Sequence, residues 1–376
     1  PSNVPYRVDQ INQIAGILAP CLRMEKPSNV FIYGKTGTGK TLVAKHVIDK
    51  FLDVSKENKQ NLKIIYLNCK LKRVADTEYR LIAQISREMG CEIPPTGLPT
   101  DEVYKKFVNV VEKEKILLLL VLDEIDEIVR NTGDKILYNL TRLNSELEKS
   151  EISIVGISND LMFIDQVDPR VKSSLSEEEL VFPPYNALQL QKILKQRANL
   201  SFVKGVIGEG VIEKCAAYAA KEHGDARRAL ELLRVAGELT ERANCNKVSM
   251  KFLDSAEEKI ERDRVIDIVS TQPKQFKLVL YSILESSENA QNNHKNDDVF
   301  TGDIYEIYKK QCTSCGTKPL TQRRIGDIIA ELDMLGIINA PVISKGRYGR
   351  TRRITLGIPK NISKKISVML KGGLGM

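Results

Sequence analysis

The 376-residue sequence predicts an α/β architecture in which a parallel-sheet domain is followed by a small helical domain and then by a basic domain of helices and a hairpin. Three observations carry this reading. Unbroken apolar runs alternate with amphipathic helical patterns through the first half, as strands covered on both faces do. The segment Phe182-Pro183-Pro184-Tyr185 halts that rhythm, and only helical periodicity follows it. A second break at Thr271-Gln272-Pro273 opens a final stretch that ends in strand-like sequence. The chain is too long for a single core, and these breaks give domains at 1–182, 183–265 and 266–376.

The first domain has candidate strands at Val30–Tyr33, Lys63–Leu67, Ile116–Leu122 and Ile152–Ile157, with helical patterns that include Thr41–Phe51, Glu78–Met89 and Ile136–Leu147. Helices are expected in the second domain at Ala187–Ala198, Gly210–Glu222, Ala226–Arg242 and Met250–Asp267. The third should hold helices over Lys274–Leu284, Thr301–Cys312 and Thr321–Leu335, a polar insert at Glu288–Asp298, and two strands, Ile337–Ser344 and Arg352–Leu356. Three helices and a two-stranded hairpin suggest a winged helix-turn-helix.

The longest apolar run, Ile116–Leu122, has seven residues, too few for a membrane-crossing helix, and no membrane partner is expected. No signal-peptide pattern opens the sequence, and its start at Pro1 rather than Met reads as trimming or truncation. Seven scattered Cys read as reduced thiols of a cytosolic protein. With only three His, a multi-His metal site is not expected, and Cys312-Thr313-Ser314-Cys315 lacks the second pair that zinc would need. Residues 266–376 carry 17 basic and 10 acidic side chains, which is nearly all of the chain's net charge of +8. No acidic residue follows Asp333, whereas nine basic ones do. A one-signed third of this kind suits a polyanion, or is simply a solvated basic tail.

Gly34-Lys35-Thr36-Gly37-Thr38-Gly39-Lys40-Thr41 satisfies G-x-x-x-x-G-K-[ST] between an expected strand and an expected helix. Such a loop turns its backbone N–H groups toward phosphate oxygens, at the positive end of the following helix. Lys40 would reach the outer phosphates, Thr41 would offer a hydroxyl to Mg²⁺, and Gly37, Thr38, Gly39 and Leu42 complete the ATP/ADP-binding assignment. Asp123-Glu124 follows the Ile116–Leu122 strand directly. Asp123 is placed to hold Mg²⁺, and Glu124 to orient and deprotonate the attacking water. Asn159, after the Ile152–Ile157 strand, could touch the γ-phosphate or that water; it could equally form an ordinary Asx turn. In His223-Gly224-Asp225-Ala226-Arg227-Arg228, Asp225 is a good N-cap. Two arginines at the positive end of a helix are locally unfavourable, and Arg227 reaching bound phosphates would explain one of them.

These residues, in this order, resemble the AAA+ ATPases, and most closely the archaeal replication initiators related to the eukaryotic origin-recognition complex and the cell-division-cycle helicase-loading factor. The resemblance covers nearly the whole chain. It rests on Gly34–Thr41, Leu122-Asp123-Glu124-Ile125-Asp126, Gly156-Ile157-Ser158-Asn159, Asp168–Leu175, Phe182–Tyr185 and Gly224–Leu230. It implies an AAA+ base, a helical lid and a C-terminal winged helix. It further implies that Asn159 is the first sensor and Arg227 the second. Val4-Pro5-Tyr6-Arg7 would be the adenine-contacting segment, with Val4, Pro5 and Arg7 binding nucleotide and Tyr185 near the same base. Arg170 lies in the stretch of the inter-subunit arginine finger, although Ser173-Ser174 stand where eukaryotic relatives carry an arginine. An additional DNA-touching helical element is expected within Lys70–Asp101.

Thr321 is a candidate N-cap for a helix whose Ile325, Ile328, Ile329, Leu332 and Leu335 share one face. Gln322, Arg323 and Arg324 then cluster at its exposed start, the end of a recognition helix that meets DNA. In the hairpin, Lys345, Arg347 and Arg350 lie around Gly346 and Gly349, with Tyr348 as a flat contact surface, and the group fits a wing. The resemblance implies an ATP-dependent initiator that binds duplex DNA at replication origins, hydrolyses ATP slowly as a switch, and meets other initiator subunits and the replicative helicase. Such a protein is cytoplasmic and nucleoid-associated. Two alternatives remain open at this point: an AAA+ DNA motor of the branch-migration type, and a non-hydrolysing, nucleotide-gated DNA-binding regulator.

Overall fold

The computed structural model describes residues 4–70, 77–94, 96–292, 299–344 and 350–375. It falls into two units, Pro1–Leu253 and Asp254–Met376.

In the first unit α1 (Val8–Leu18) leads into β1 (Val30–Tyr33), α2 (Lys40–Glu57) and β2 (Leu62–Asn68). Then come α3 (Glu78–Glu88), α4 (Thr100–Val111), β3 (Leu117–Asp123), α5 (Ile125–Thr132), α6 (Lys135–Arg142) and β4 (Glu151–Ser158). Two short helices, α7 (Phe163–Gln166) and α8 (Pro169–Leu175), precede β5 (Glu178–Val181). The strands form one parallel sheet in the order β2-β3-β4-β1-β5. All seven residues of β3 are buried, which is why that strand reads as a continuous apolar run. One face of the sheet packs on α3–α6 through Phe31, Leu118, Leu120 and Ile154, and the other on α1 and α2 through Ile32, Leu119, Val121 and Ile157.

Register fixes what emerges at the carboxyl edge. Asp123 pairs with Ile157, Ile157 with Ile32, and Ser158 with Tyr33. The residues just beyond these strand tips, Gly34, Glu124 and Asn159, therefore leave the sheet side by side, at the edge where open α/β sheets bind ligands.

Helices α9 (Ala187–Ser201), α10 (Val211–Lys221) and α11 (Ala226–Arg242) follow, and α12 (Met250–Thr271) continues into the second unit. α9 opens on a capping box between Asn186 and Gln189. The second unit contains α13 (Lys274–Asn292), β6 (Val299–Phe300), α14 (Thr301–Ser314), α15 (Gln322–Met334), β7 (Ile338–Asn339), β8 (Val342–Ser344), β9 (Arg350–Leu356) and α16 (Lys360–Leu374). β9 is antiparallel to β6, β7 and β8 in turn, and its Ile354 closes a core with Ile304, Tyr308, Ile325, Ile329 and Ile366. This is a winged helix.

Several expectations are corrected. β5 has the burial of an edge strand, with only Leu180 inside, so no apolar run announces it. Ile136–Leu147 is not one helix, because α6 gives way to a 3-10 turn at Leu143–Ser145. The strand expected at Ile337–Ser344 is divided into β7 and β8 at Ala340-Pro341, where proline has no N–H to give the ladder. The second unit has a further helix, α16, beyond the expected hairpin. Of the polar insert, Glu288–Asn292 extends α13, and residues 293–298 lie outside the described residues. The Lys70–Asp101 stretch holds α3 and the start of α4, while residues 71–76 and 95 lie outside the description.

Candidate functional site

The loop between β1 and α2 is shaped by what presses on it. Gly37 has φ +73°, and a Cβ there would lie 1.7 Å from Asp225 Oδ1. Gly39 has φ +93°, and its Cβ would lie 2.9 Å from the Tyr185 hydroxyl. Only glycine tolerates both the left-handed backbone and the close approach. The Ala226 N–H donates to Gly37 O at 3.2 Å, so the start of α11 is tied directly to the loop. Asp225 caps that helix, accepting from the Arg227 and Arg228 amides at 2.7 and 3.2 Å.

Lys40 is buried. Its Nζ donates to Gly34 O at 2.7 Å and to Lys35 O at 2.9 Å. Burial lowers its pKa to about 8, a shift that Asp123 opposes and Arg227 reinforces. Asp123 is also buried and fully engaged. Its Oδ2 accepts from Thr41 Oγ1 at 2.9 Å and from Tyr66 OH at 2.5 Å, and its Oδ1 from the Glu124 amide at 3.0 Å. Desolvation and the bond to Asp123 push the Tyr66 hydroxyl far up. Glu124 stands at φ +55°, a left-handed conformation that costs a non-glycine residue about 1–2 kcal/mol. Its buried Oε2 has no hydrogen bond among the described residues and approaches only Lys70 Nζ, at 3.9 Å. Desolvation raises its pKa, against the pull of Lys70. Hydroxyl and carboxylate oxygens are the hard donors Mg²⁺ takes, so Thr41 and Asp123 fit that ion.

Lys40, Thr41 and Glu124 border a cavity, and Asp123 lies behind its lining, reached through Thr41. Gly37, Gly39, Lys40, Thr41, Glu124, Asn159 and Arg227 line its polar part. Val4, Pro5, Leu42, Tyr185, Ile193 and Leu230 line its apolar part, and Arg197 adds a second arginine. The division suits a nucleotide, with phosphates at one end and a flat base at the other.

Arg7 and Thr38 lie behind this lining. The Arg7 guanidinium is buried, stacks 4.1 Å from the Tyr185 ring centroid, and donates to Thr38 O at 3.0 Å and Pro183 O at 2.5 Å. It braces the loop against the start of the helical segment. Thr38 Oγ1 donates back to Lys35 O at 2.8 Å. Arg170 is not brought to the cavity. It is an exposed side chain of α8, paired with both oxygens of Asp168 at 3.0 and 2.9 Å and lying over the Tyr138 ring. Sequence reasoning missed Arg197, Ile193 and Leu230. Their spacing on helices was legible, but the cavity they face is formed by segments far apart in the chain.

In the second unit, Thr321 caps α15 by accepting from the Arg324 amide at 3.4 Å. Gln322, Arg323 and Arg324 are exposed beside it, while Ile325, Ile328, Ile329 and Leu332 are buried behind. Arg350 opens β9; Lys345, Arg347 and Tyr348 lie outside the described residues.

A five-stranded parallel sheet with a phosphate-binding loop, a helical lid over it and a winged helix define the architecture of an AAA+ protein that carries a C-terminal winged helix. Residues 191–258 match the Cdc6 AAA+ ATPase-type lid domain, 267–365 the C-terminal winged helix domain of CDC6, and 6–181 the bacterial TniB protein. The ORC1-type DNA replication protein of Pyrococcus furiosus is 51% identical over 362 residues, which span 95% of this chain and 84% of that one. ORC1-type DNA replication protein 1 of Methanosarcina mazei is 50% identical over 366 residues, spanning 97% and 87%. The solved structure of the Aeropyrum pernix ORC1 protein in complex with DNA is 43% identical, with a TM-score of 0.84 over 99% of this chain and 94% of that one. The chain belongs to the family of ORC1-type DNA replication proteins. Among its described residues no helix is long and apolar enough to cross a membrane.

Proposed function

We propose that this chain is an ATP-gated initiator that docks its winged helix on duplex DNA at replication origins, hydrolyses ATP slowly as a switch, and helps recruit the replicative helicase alongside other initiator subunits. The observation that carries the reading is the single cavity at which Gly37, Gly39, Lys40 and Thr41 of the sheet domain meet Arg227 of the lid. DNA docking is supported by the 43% identical ORC1 protein, whose structure is a complex with DNA.

In this reading Lys40, held by two loop carbonyls, presents its charge to the outer phosphates. Thr41 and Asp123 would hold Mg²⁺, which when bound would offset charge on the same phosphates. Glu124 takes the proton of the attacking water as the water oxygen bonds to the γ-phosphorus and the bond to the bridging oxygen breaks, with ADP as leaving group. Asn159, beside Glu124 on the cavity wall, orients that water, and Arg227 registers whether a γ-phosphate is present. Arg170, exposed and outside its own cavity, is available to a neighbouring subunit. Thr321, Gln322, Arg323 and Arg324 meet the DNA from α15, and Lys345, Arg347, Tyr348 and Arg350 from the wing.

The test is fluorescence anisotropy with origin and scrambled duplexes over a salt series, beside single-turnover ATP hydrolysis. A preference of about 10³-fold or more at physiological salt supports sequence-specific initiation. Glu124→Ala should bind DNA as the native chain does and not turn over. Absence of hydrolysis in the native protein would leave only a nucleotide-gated binding module.

A further inference from the structure

Two arginines, Arg197 and Arg227, line the cavity from the lid, and the proposed function assigns γ-phosphate sensing to Arg227 alone. Arg197 lies on α9 one helical turn beyond Ile193, so the two share a face, and both border the cavity. The residue is half-buried, yet among the described residues its guanidinium makes no ion pair and no hydrogen bond. Its cationic neighbours on α9 are engaged. Lys195 pairs with Glu213 at 3.0 Å, and Lys192 stands 5.5 Å from the Tyr6 ring centroid. In the lid, Arg228 is held by Glu222 at 3.0 Å. A guanidinium withdrawn from water without a counter-charge is unfavourable unless an anion or a set of acceptors comes to it.

The two arginines enter at different places. Arg227 is in the first turn of α11, whose Ala226 amide bonds Gly37 O, and its charge is felt at Lys40. It therefore belongs to the outer-phosphate end. Arg197 follows Ile193 on α9, and both border the cavity together with Leu230, Tyr185, Val4 and Pro5, the apolar residues suited to the base and sugar. We propose that Arg197 binds the sugar-proximal phosphate of the nucleotide, the phosphate that ATP and ADP share. The proposal rests on the reading of this cavity as a nucleotide site. It divides the work of the lid: Arg197 contributes affinity for any nucleotide, and Arg227 discriminates between the two.

The experiment is calorimetric titration of the full chain with MgATP and with MgADP, for the native protein and for Arg197→Met, Arg197→Lys, Arg227→Met and Lys40→Ala. Arg197→Met should weaken ATP and ADP by the same factor, about 10- to 100-fold, as expected when a charge-assisted bond is removed from a desolvated site. Arg197→Lys should recover part of that loss, and Arg227→Met should weaken ATP more than ADP. The thermal midpoint of nucleotide-free Arg197→Met should match the native protein; if it falls, Arg197→Gln provides the same comparison without an apolar head. Native affinity in Arg197→Met while Lys40→Ala loses binding overturns the proposal and leaves the nucleotide site standing. A loss confined to ATP also overturns it. Retained affinity in Lys40→Ala would overturn the nucleotide reading and this proposal with it.

Discussion

The cavity end of the first unit and the exposed start of α15 both gather charge, but they treat it in opposite ways. At the cavity, Lys40 has two carbonyl acceptors, Asp123 has three donors, and Glu124 is fixed in a strained backbone conformation. At α15, Gln322 and Arg323 are exposed, and Arg324 has only a 3.6 Å approach to Asp327. A ligand that must be held at the ångström level needs side chains already locked by their neighbours. A polyanion gripped largely through released counterions needs charge at the surface and little else. In the proposed roles, the same residue types would thus serve a stereospecific, salt-tolerant site in one unit and a salt-sensitive face in the other.

The largest expected effect tests the locked end. Gly37→Ala places a Cβ against the Asp225 carboxylate and forces alanine to φ +73°. The backbone alone costs about 1–2 kcal/mol, and the carboxylate must move as well. Nucleotide affinity should fall by at least about 100-fold, measured by titration with MgATP. DNA binding without nucleotide should be unchanged, and a comparable loss of DNA affinity would break the contrast between the two regions. Next in size, the double substitution Arg323→Ala and Arg324→Ala tests the open end. Each phosphate-binding arginine removed should reduce the slope of log K against log salt by about one unit, so the pair removes about two. MgATP affinity should be unaffected at any salt concentration.

Legibility in the sequence divides along the same line. The phosphate loop, Asp123-Glu124 and Asn159 follow strands that are buried on both faces, and such strands write themselves as apolar runs. β5 does not, because an edge strand with one inward residue has no pattern to show. α16 is legible yet easily passed over. Ile362, Ile366, Leu370 and Leu374 recur every fourth residue and are buried, but the lysines between them draw the eye to charge. Arg197 is not legible at all. An arginine on a helix is normally solvated, and only the meeting of α9 with the N-terminal segment and the loop gives it a cavity to line. Arg7 shows the converse. Its place beside Val4 and Pro5 suggests a ligand contact, whereas its guanidinium is taken up by Thr38 O, Pro183 O and the Tyr185 face.

A smaller effect sharpens the contrast within the first unit. Asp225→Ala removes the cap of α11 and leaves the Arg227 and Arg228 amides without their acceptor. It should cost about 1 kcal/mol, seen as a lower denaturation midpoint in urea with an unchanged m-value. Because that cap also sets the turn carrying Arg227, ATP affinity should decline more than ADP affinity. Asp225→Asn, which caps equally well, should restore both.

The smallest effect concerns a charged pair of the first unit that is exposed like those of the second. Asp168 caps α8 and holds Arg170 through both oxygens, which draws its carboxyl down to about 2 from the usual 3.8. A depressed carboxylate contributes stability above its unfolded pKa and loses it as pH falls through the folded one. The pair's contribution should therefore be complete at pH 6 and decline between about pH 4 and pH 2. Asp168→Asn keeps an N-cap and removes the charge, so it isolates the ion pair from the helix start. Its thermal midpoint should lie slightly below that of the native chain at pH 6 and approach it at pH 3. Because both side chains face solvent, 0.5 M salt, for which the screening length is about 4 Å, should also narrow the gap at pH 6. A gap that ignores both pH and salt would mean that Asp168 acts through the geometry of the helix start and not through its charge.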